Sequence, residues 1–588
     1  MAKRMMDDLV FNQILCTEGY KVEYVVGTTY SLDLTSFISL PFSLGFLEEP
    51  DEVMKGSLTY LYTALKLCTD KLAVFCNYSD IKVPQGTKKV YYSLLENSIF
   101  GINASPKGRK KDTIVNFHPK VWIIQESKVN GEDQQVKVIV MSRNLTGDNS
   151  LDVVCELVGK MGTEEASEPS LEKHRPLCDF LKYLSLFANK DKQKMINHLI
   201  DAIRMVKKFD IEDSPFDDYD FLPMGIKNYD GKDCAEEMAG PYETVVVSPF
   251  IDDNTILRFA DAKNKTLITR EFSITPEILN AFGKENIYIV NQNMIDNEEN
   301  DAVDLHAKMY YVRCRGHYTQ YVYLGSANAT DNGFGRNVEF LLRLRYAPYK
   351  GSYETYRENF INDDRDCKFT RMVGLVEAPS DVSAEYKATL RLRYAINAVK
   401  GAEVKYNSLG TYDVTLVADI EGIEEGVTLY PLMSPEKKCD LKAEMVFEDM
   451  SLENLSEFYV IETAELKRMI KVETKGIPET RDEAICRKIM NKNQFLDCVS
   501  FLLSDNKKAY LTEKMFHEEF GSNRSSDDAQ MQPLQPAIYE NLLRSAYDRP
   551  NVFNDIRTFV SSLPADLIPV EFNSLYEDIV KAFKSVKR

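Results

Sequence analysis

Two stretches decide the fold. One is FHPKVWIIQ (117–125) followed by VIVMSRNLTGD (138–148); the other is LHAKMYYVR (305–313) followed by VYLGSANATDNGFGRNVEF (322–340). Each sets His-x-Lys in a hydrophobic run and Ser-x-Asn at the end of the next one. His118 stands 26 residues before Asn144, and His306 stands 22 before Asn328. Only six histidines occur in the chain, so two in matching surroundings argue for an internal repeat. Residues two apart in a strand share a face, which predicts that His118 and Lys120 project together, as do His306 and Lys308. The loop closing the next strand brings Ser142 and Asn144, or Ser326 and Asn328, to the same spot. An imidazole supplies a nucleophile or an acid, while Lys and Asn supply a cation and a donor for phosphoryl oxygens. Two such sets face to face put nucleophile and leaving-group acid on opposite sides of one phosphate, as in-line phosphoryl transfer requires. His174, His198, His317 and His517 lack such surroundings and are expected on the surface or in packing.

Outward from these stretches, strand-like and helix-like runs alternate, the mark of an α/β sheet. YKVEYVVGTT (20–29), SLTYLYTALKLC (57–68) and LAVFCNYSD (72–80) precede the first copy; ETVVVSPFI (243–251), KTLITR (265–270) and NIYIVN (286–291) precede the second. The expected organisation is a first α/β half over 1–160, a helical connector over 161–230 that includes DIEDSPFDDYDFLP (210–223), and a second half over 231–375. Short strands such as YDVTLVADI (412–420) and FYVIET (458–463) then predict a small β-sandwich-like module over 376–475. A helical module is expected over 476–588. No reactive constellation appears beyond about residue 380, so that region is expected to govern binding or assembly.

Composition narrows the class. With 91 Asp+Glu against 72 Lys+Arg, the 588 residues carry a net charge of −19. A coat of nonspecific phosphate contacts needs clustered Lys and Arg, so any nucleic-acid contact must be local. The densest basic run near either motif is SPKGRKKD (105–112), with Lys107, Arg109, Lys110 and Lys111 as candidate backbone contacts, joined by Arg336 beside the second motif. No apolar stretch reaches the roughly 18 residues of a membrane span, and the chain reads as cytoplasmic. The eleven cysteines include no C-x-x-C pair and read as reduced thiols rather than as metal ligands or disulfides. No metal or other cofactor is expected.

The paired His-x-Lys motifs resemble the phospholipase D superfamily, whose two repeats share one active site; the resemblance spans about residues 20–350. Its commonest form has an Asp after the Lys where this chain has Gln125 and Arg313. With Asn144 and Asn328 instead, the pattern resembles the His-Lys-Asn branch of tyrosyl-DNA phosphodiesterase. The resemblance implies a covalent phosphohistidine, with His118 as nucleophile and His306 as acid and then base. Lys120, Lys308, Asn144 and Asn328 would hold nonbridging oxygens, and Ser142 and Ser326 would add hydroxyl donors. Glu339 would support the imidazole of His306, with Glu156 as its weaker counterpart. Pro119 belongs at an edge or bulge. The resemblance favours nucleic acid, DNA foremost, over lipid. It further implies a nuclease of a bacterial restriction or antiphage system beside an ATPase or helicase partner, since the chain has no G-x-x-x-x-G-K-[ST] of its own. Oligomeric state stays open. Phospholipid hydrolysis or transfer, and a scaffold or sensor subunit, remain the competing readings.

Overall fold

The computed structural model describes residues 17–45, 58–84, 90–104, 115–129, 133–147, 150–211, 214–291, 304–316, 318–361, 367–372, 374–375, 382–503, 536–548, 550–561 and 563–586. Two large sheets carry the repeat. The first contains Tyr20–Thr29 (β1), Leu72–Asn77 (β2), Ile99–Ile102 (β3), Val121–Lys128 (β4), Gln134–Met141 (β5) and Val154–Lys160 (β6), in the order β3-β2-β1-β4-β5-β6. The second contains Phe216–Met224 (β7), Glu243–Val247 (β8), Asn264–Ile268 (β9), Ile287–Val290 (β10), Met309–Arg313 (β11), Gln320–Gly325 (β12), Glu339–Tyr346 (β13) and Phe369–Arg371 (β14). Its order is β7-β13-β12-β11-β8-β9-β10-β14.

The run β2-β1-β4-β5-β6 matches β9-β8-β11-β12-β13, each with one parallel pair followed by three antiparallel ones. A local device repeats as well. Thr29 Oγ1 donates to Ser31 O (2.7 Å) and accepts from Leu145 N (2.9 Å). In the second sheet Ser248 Oγ donates to Phe250 O (2.7 Å) and accepts from Ala329 N (3.0 Å). In both sheets a strand-end hydroxyl thereby fixes the loop that follows Ser-x-Asn.

Side-chain alternation along the strands sets the layers. Val25, Val74, Trp122 and Ile124 enter one core, while Val26, Phe75, Ile123 and Val138 enter another. That second core also takes Val245, Tyr311, Val322 and Phe340 from the second sheet, together with Leu181 and Leu199 from the helices Glu168–Ser185 and Lys190–Arg204. The outer face of the second sheet packs separately through Val246, Leu267, Tyr310 and Leu341.

Three expectations need correction. The stretch read as a connector at 210–223 holds strand β7, paired along β13 at the sheet edge. Tyr219 and Phe221 turn inward, while Asp217, Asp218 and Asp220 pair with Arg345, Lys173 and Arg343. An edge strand also tolerates Pro223, whose missing N–H costs no ladder bond there. Next, the β-rich region is not self-contained. Strands Thr428–Pro431, Cys439–Asp440, Phe458–Glu462 and Lys467–Lys471 share a sheet with Leu32–Asp33 and Ile81–Lys82. Nor do the C-terminal helices stand apart. Arg481–Ile489, Lys492–Leu503 and Pro550–Ser561 pack on the helix Leu58–Thr69, closing the outer face of the first sheet. Boundaries at 160, 375 and 475 therefore cut through shared sheets and a shared core. Among the described residues no helix is long and apolar enough to cross a membrane.

Candidate active site

His118 and His306 lie just ahead of strands, not within them, because β4 opens at Val121 and β11 at Met309. The cause is lateral pairing with the opposite sheet. His118 N donates to Val338 O (2.9 Å), and Val338 N donates to Asn116 O (2.9 Å). His306 N and Ala307 N both donate to Leu151 O (3.0 and 2.8 Å). Short strands Asp304–Leu305 and Ser150–Leu151 run parallel at that seam. Each histidine is thus stitched beside the residue that precedes a carboxylate of the other sheet.

Those carboxylates hold the rings crosswise. His118 Nδ1 lies 2.9 Å from Glu339 Oε2, and His306 Nδ1 lies 2.9 Å from Asp152 Oδ1. Glu339 is wholly buried, while the two imidazoles keep 12% and 20% of their side-chain surface, enough to meet a substrate. Each acid is oriented by a serine of its own sheet. Ser326 Oγ donates to Glu339 Oε2 (2.5 Å) and accepts from Phe340 N (2.9 Å). Ser142 Oγ donates to Asp152 Oδ1 (2.6 Å) and accepts from Val153 N (3.0 Å). Asn337 Nδ2 and Ser150 Oγ satisfy the second oxygens, at 3.1 and 2.6 Å. Gly325 lets β12 end so close to β13: at φ +147° a Cβ would sit 2.3 Å from Phe340 O. With Nδ1 engaged on both rings, Nε2 is the nitrogen left to face a phosphate.

The expected assignments shift accordingly. Glu339, expected beside His306, bonds His118 instead. Glu156 is exposed and lies 3.8 Å from Lys137, away from either imidazole. Its place is taken by Asp152, which the sequence reading missed. Ser142 and Ser326 are committed to carboxylates, so they orient the acids and do not serve as donors to substrate. A faint signal for Asp152 exists: Leu-Asp-Val at 151–153 matches Val-Glu-Phe at 338–340, an acid between apolar neighbours after Ser-x-Asn.

Lys120 and Lys308 are buried, and each ammonium donates to the carbonyl of its own histidine, at 2.8 and 2.5 Å. Burial pushes Lys308 down to about 7. Burial, then repulsion from Lys308, drives Lys120 well below its usual range. Both imidazoles are also held below their ordinary value, first by burial, with the lysines adding to it and the carboxylates resisting. The ring of Tyr30 packs 5.0 Å from that of His118, with Lys120 Nζ 5.7 Å from its centroid. Asn144 Oδ1 receives a long bond from Ser31 N (3.5 Å), and Asn328 Oδ1 is buried without a protein partner. Arg143, between Ser142 and Asn144, pairs with Asp152 at 3.7 Å. The site therefore concentrates two cations and two ring nitrogens, a set suited to one phosphate anion.

Other candidates fall elsewhere. Arg336 is exposed and its Nη1 bonds Asn332 (3.3 Å) at the end of a short helix. Lys107, Arg109, Lys110 and Lys111 lie outside the described residues. His174 is buried against Tyr219 OH (2.8 Å) and His198 stacks on Tyr24, whereas His317 and His517 lie outside the described residues. Among the described residues, no group of three or more His, Cys, Asp or Glu is placed to hold a metal.

No family model and no curated protein matches the chain. Among solved structures it is similar to yeast tyrosyl-DNA phosphodiesterase. One such structure is 12% identical over 58% of this chain and 86% of the other, with a TM-score of 0.34. A mutant of that enzyme gives 11% identity, 58% and 85% coverage and a TM-score of 0.35. Polyphosphate kinase from Porphyromonas gingivalis is 13% identical over 64% of this chain and 49% of its own, with a TM-score of 0.32. Overlaps this loose carry no chemistry, which rests on the side chains.

Proposed function

We propose that the chain is a phosphodiesterase of nucleic acid, DNA foremost, working through a covalent phosphohistidine. The supporting observation is the crossed pair of imidazole–carboxylate couples with a buried lysine at each. His118 Nε2 attacks phosphorus, forming the N–P bond as the P–O bond to the leaving group breaks. His306, protonated on Nε2, gives its proton to the departing oxygen. Neutral His306 then takes a proton from water, whose oxygen forms a P–O bond as the N–P bond breaks and frees His118. Glu339 keeps the proton of His118 on Nδ1 and stabilises the charge that ring gains; Asp152 does the same for His306. Lys120, Lys308, Asn144 and Asn328 hold the nonbridging oxygens, and the phosphate charge between the lysines favours the imidazolium that the free site resists. The His-Lys-Asn pattern and the basic run 107–111 support nucleic acid over lipid. A place beside an ATPase or helicase in a bacterial defence complex rests on the sequence resemblance alone.

The direct test is incubation with labelled single- and double-stranded DNA and RNA. Because the site supplies its own cations and acid–base pair, cleavage is expected to persist in excess EDTA. Complete loss in chelator, restored by Mg²⁺, would defeat this reading. Cleavage of a small diester but of no nucleic acid would keep the chemistry and discard the substrate.

The pH profile follows from the shifted groups. His118 must be neutral, and its depressed value keeps it so to below the ordinary imidazole range. Lys308 and His306 must carry protons, and both have lowered values, near 7 for Lys308. With His306 held below the ordinary imidazole range, kcat/KM should already decline through the neutral range with a log–log slope of about −1, steepening to about −2 above about 7 as Lys308 loses its proton as well. Lys308→Arg keeps its charge at all these pH values, so its slope should relax to about −1 whatever happens to the absolute rate. Identical slopes in the two proteins would remove Lys308 from the binding step.

A further inference from the structure

The residue two positions ahead of each catalytic histidine is tied to an arginine. In the second sheet the arginine is local: Arg270, just past β9, bonds both carboxylate oxygens of Asp304 and Leu305 O (3.3 Å). Asp304 stands two residues before His306. The first sheet has no arginine at the matching place after β2, where the chain reads Tyr78-Ser79-Asp80. Its arginine comes from elsewhere. Arg393, on the helix Val382–Ala398, donates through Nη2 to Asn116 Oδ1 (2.7 Å) and to Asp80 Oδ2 (3.2 Å). Asn116 stands two residues before His118.

We infer that Arg393 is a positioning residue for His118, supplied by the region beyond the two large sheets; the inference rests on the phosphohistidine reading above. Two hydrogen-bonded routes lead from the guanidinium to the ring. Along the first, Asn116 N donates to Asn337 Oδ1 (3.1 Å), and Asn337 Nδ2 donates to Glu339 Oε1 (3.1 Å), whose other oxygen holds His118 Nδ1. Along the second, Asp80 accepts from Asn77 Nδ2 (2.5 Å), Ser79 Oγ (2.8 Å) and the Tyr30 hydroxyl. Asn77 Oδ1 then accepts from Phe117 N (3.0 Å), and the Tyr30 ring lies against His118.

Arg393 is only 6% exposed, so its charge is compensated by Asp80 and not by water. A buried guanidinium whose Nη2 holds Asn116 and Asp80 together acts as a strut between them, because its planar group allows few alternative geometries. Removing it frees Asn116 and leaves Asp80 short of its cation. The expected result is a His118 ring with a broader range of attack angles, which lowers the chemical rate while leaving phosphate binding by the lysines intact.

The test uses the full chain with Arg393→Met and Arg393→Lys. On a small chromogenic phosphodiester, Arg393→Met should lose about tenfold or more in kcat with KM within about twofold, and Arg393→Lys should recover part of the loss. Asn116→Ala cuts the same strut from its other end, so it should give the same split even if the arginine variants fail to fold. Ring-¹⁵N-labelled histidine gives a readout independent of turnover, since only six imidazoles contribute. The His118 resonances should move in each variant while those of His198 stay in place. Unchanged kcat in a folded variant, or a lower kcat with His118 resonances unmoved, overturns the inference. If the wild type cleaves no phosphodiester, the phosphohistidine reading fails, and the resonances still decide whether Arg393 orders the ring.

Discussion

His118→Ala is expected to abolish phosphodiester turnover, a loss of at least about 10⁴-fold, because His118 Nε2 is the atom that forms the covalent bond. His306→Asn should behave differently. With a good leaving group the first step needs little acid, so the phosphohistidine forms and then waits for a base. A covalent adduct should accumulate on His118 and be located there by peptide mass spectrometry after a denaturing quench. The crossed geometry adds a second layer. Glu339 bonds His118 and Asp152 bonds His306, each at 2.9 Å. Glu339→Gln should therefore resemble a weakened His118 variant and slow adduct formation, whereas Asp152→Asn should slow adduct breakdown, each by roughly 10²-fold or more. An adduct on His306 reverses the roles, and turnover untouched by either histidine substitution removes phosphohistidine chemistry altogether.

The repeat was legible because chemistry and spacing recur together. His-x-Lys and Ser-x-Asn stand out in a chain with so few histidines, and the flanking hydrophobic runs declare their strands. What carried no mark was the exchange between sheets. It depends on His118 N bonding Val338 O and His306 N bonding Leu151 O, pairings between segments far apart in sequence. Each carboxylate therefore serves the histidine of the other sheet, whereas the resemblance pairs Glu339 with His306, the nearer in sequence. Asp152 was hidden for a related reason. It lies ten residues after Ser142, while Glu339 lies thirteen after Ser326, so the glutamate nearest the matching distance is Glu156.

The connector at 210–223 misled through composition. Its aspartates and prolines are turn formers, yet three of those aspartates are the outward partners of Lys173, Arg343 and Arg345 on an edge strand. Arg393 was out of reach altogether: it lies 277 residues from Asn116, on a helix with no sequence feature to mark it.

The same long-range packing predicts that a chain ending near residue 375 does not fold. Its first sheet would keep the face toward the second sheet, but on the other face the helix Leu58–Thr69 would lose the C-terminal helices packed over it. Ile485, Phe495, Val499, Leu542, Ile556, Phe559 and Phe572 are all fully buried in one cluster with Tyr62, Leu65, Trp122 and Ile124. At roughly 1.5–3 kcal/mol for each large apolar side chain uncovered, exposing even a few of the residues that remain, such as Tyr62 and Leu65, costs an amount comparable with the 5–15 kcal/mol that typically separates a folded from an unfolded domain. Polar ties go with it: buried Arg481 bonds buried Glu96 (2.6 Å), and Lys471 bonds Ile99 O (2.9 Å). Loss of Arg481 would leave the Glu96 carboxylate buried without its cation, itself strongly destabilising. The truncated chain should be insoluble, or should bind a hydrophobic dye and melt without a cooperative transition. Cleavage of a small ester by this fragment, expected if the sheets were autonomous, should be absent. A soluble fragment with a sharp calorimetric transition would show that the C-terminal helices are an appendage and not the second wall of the first sheet.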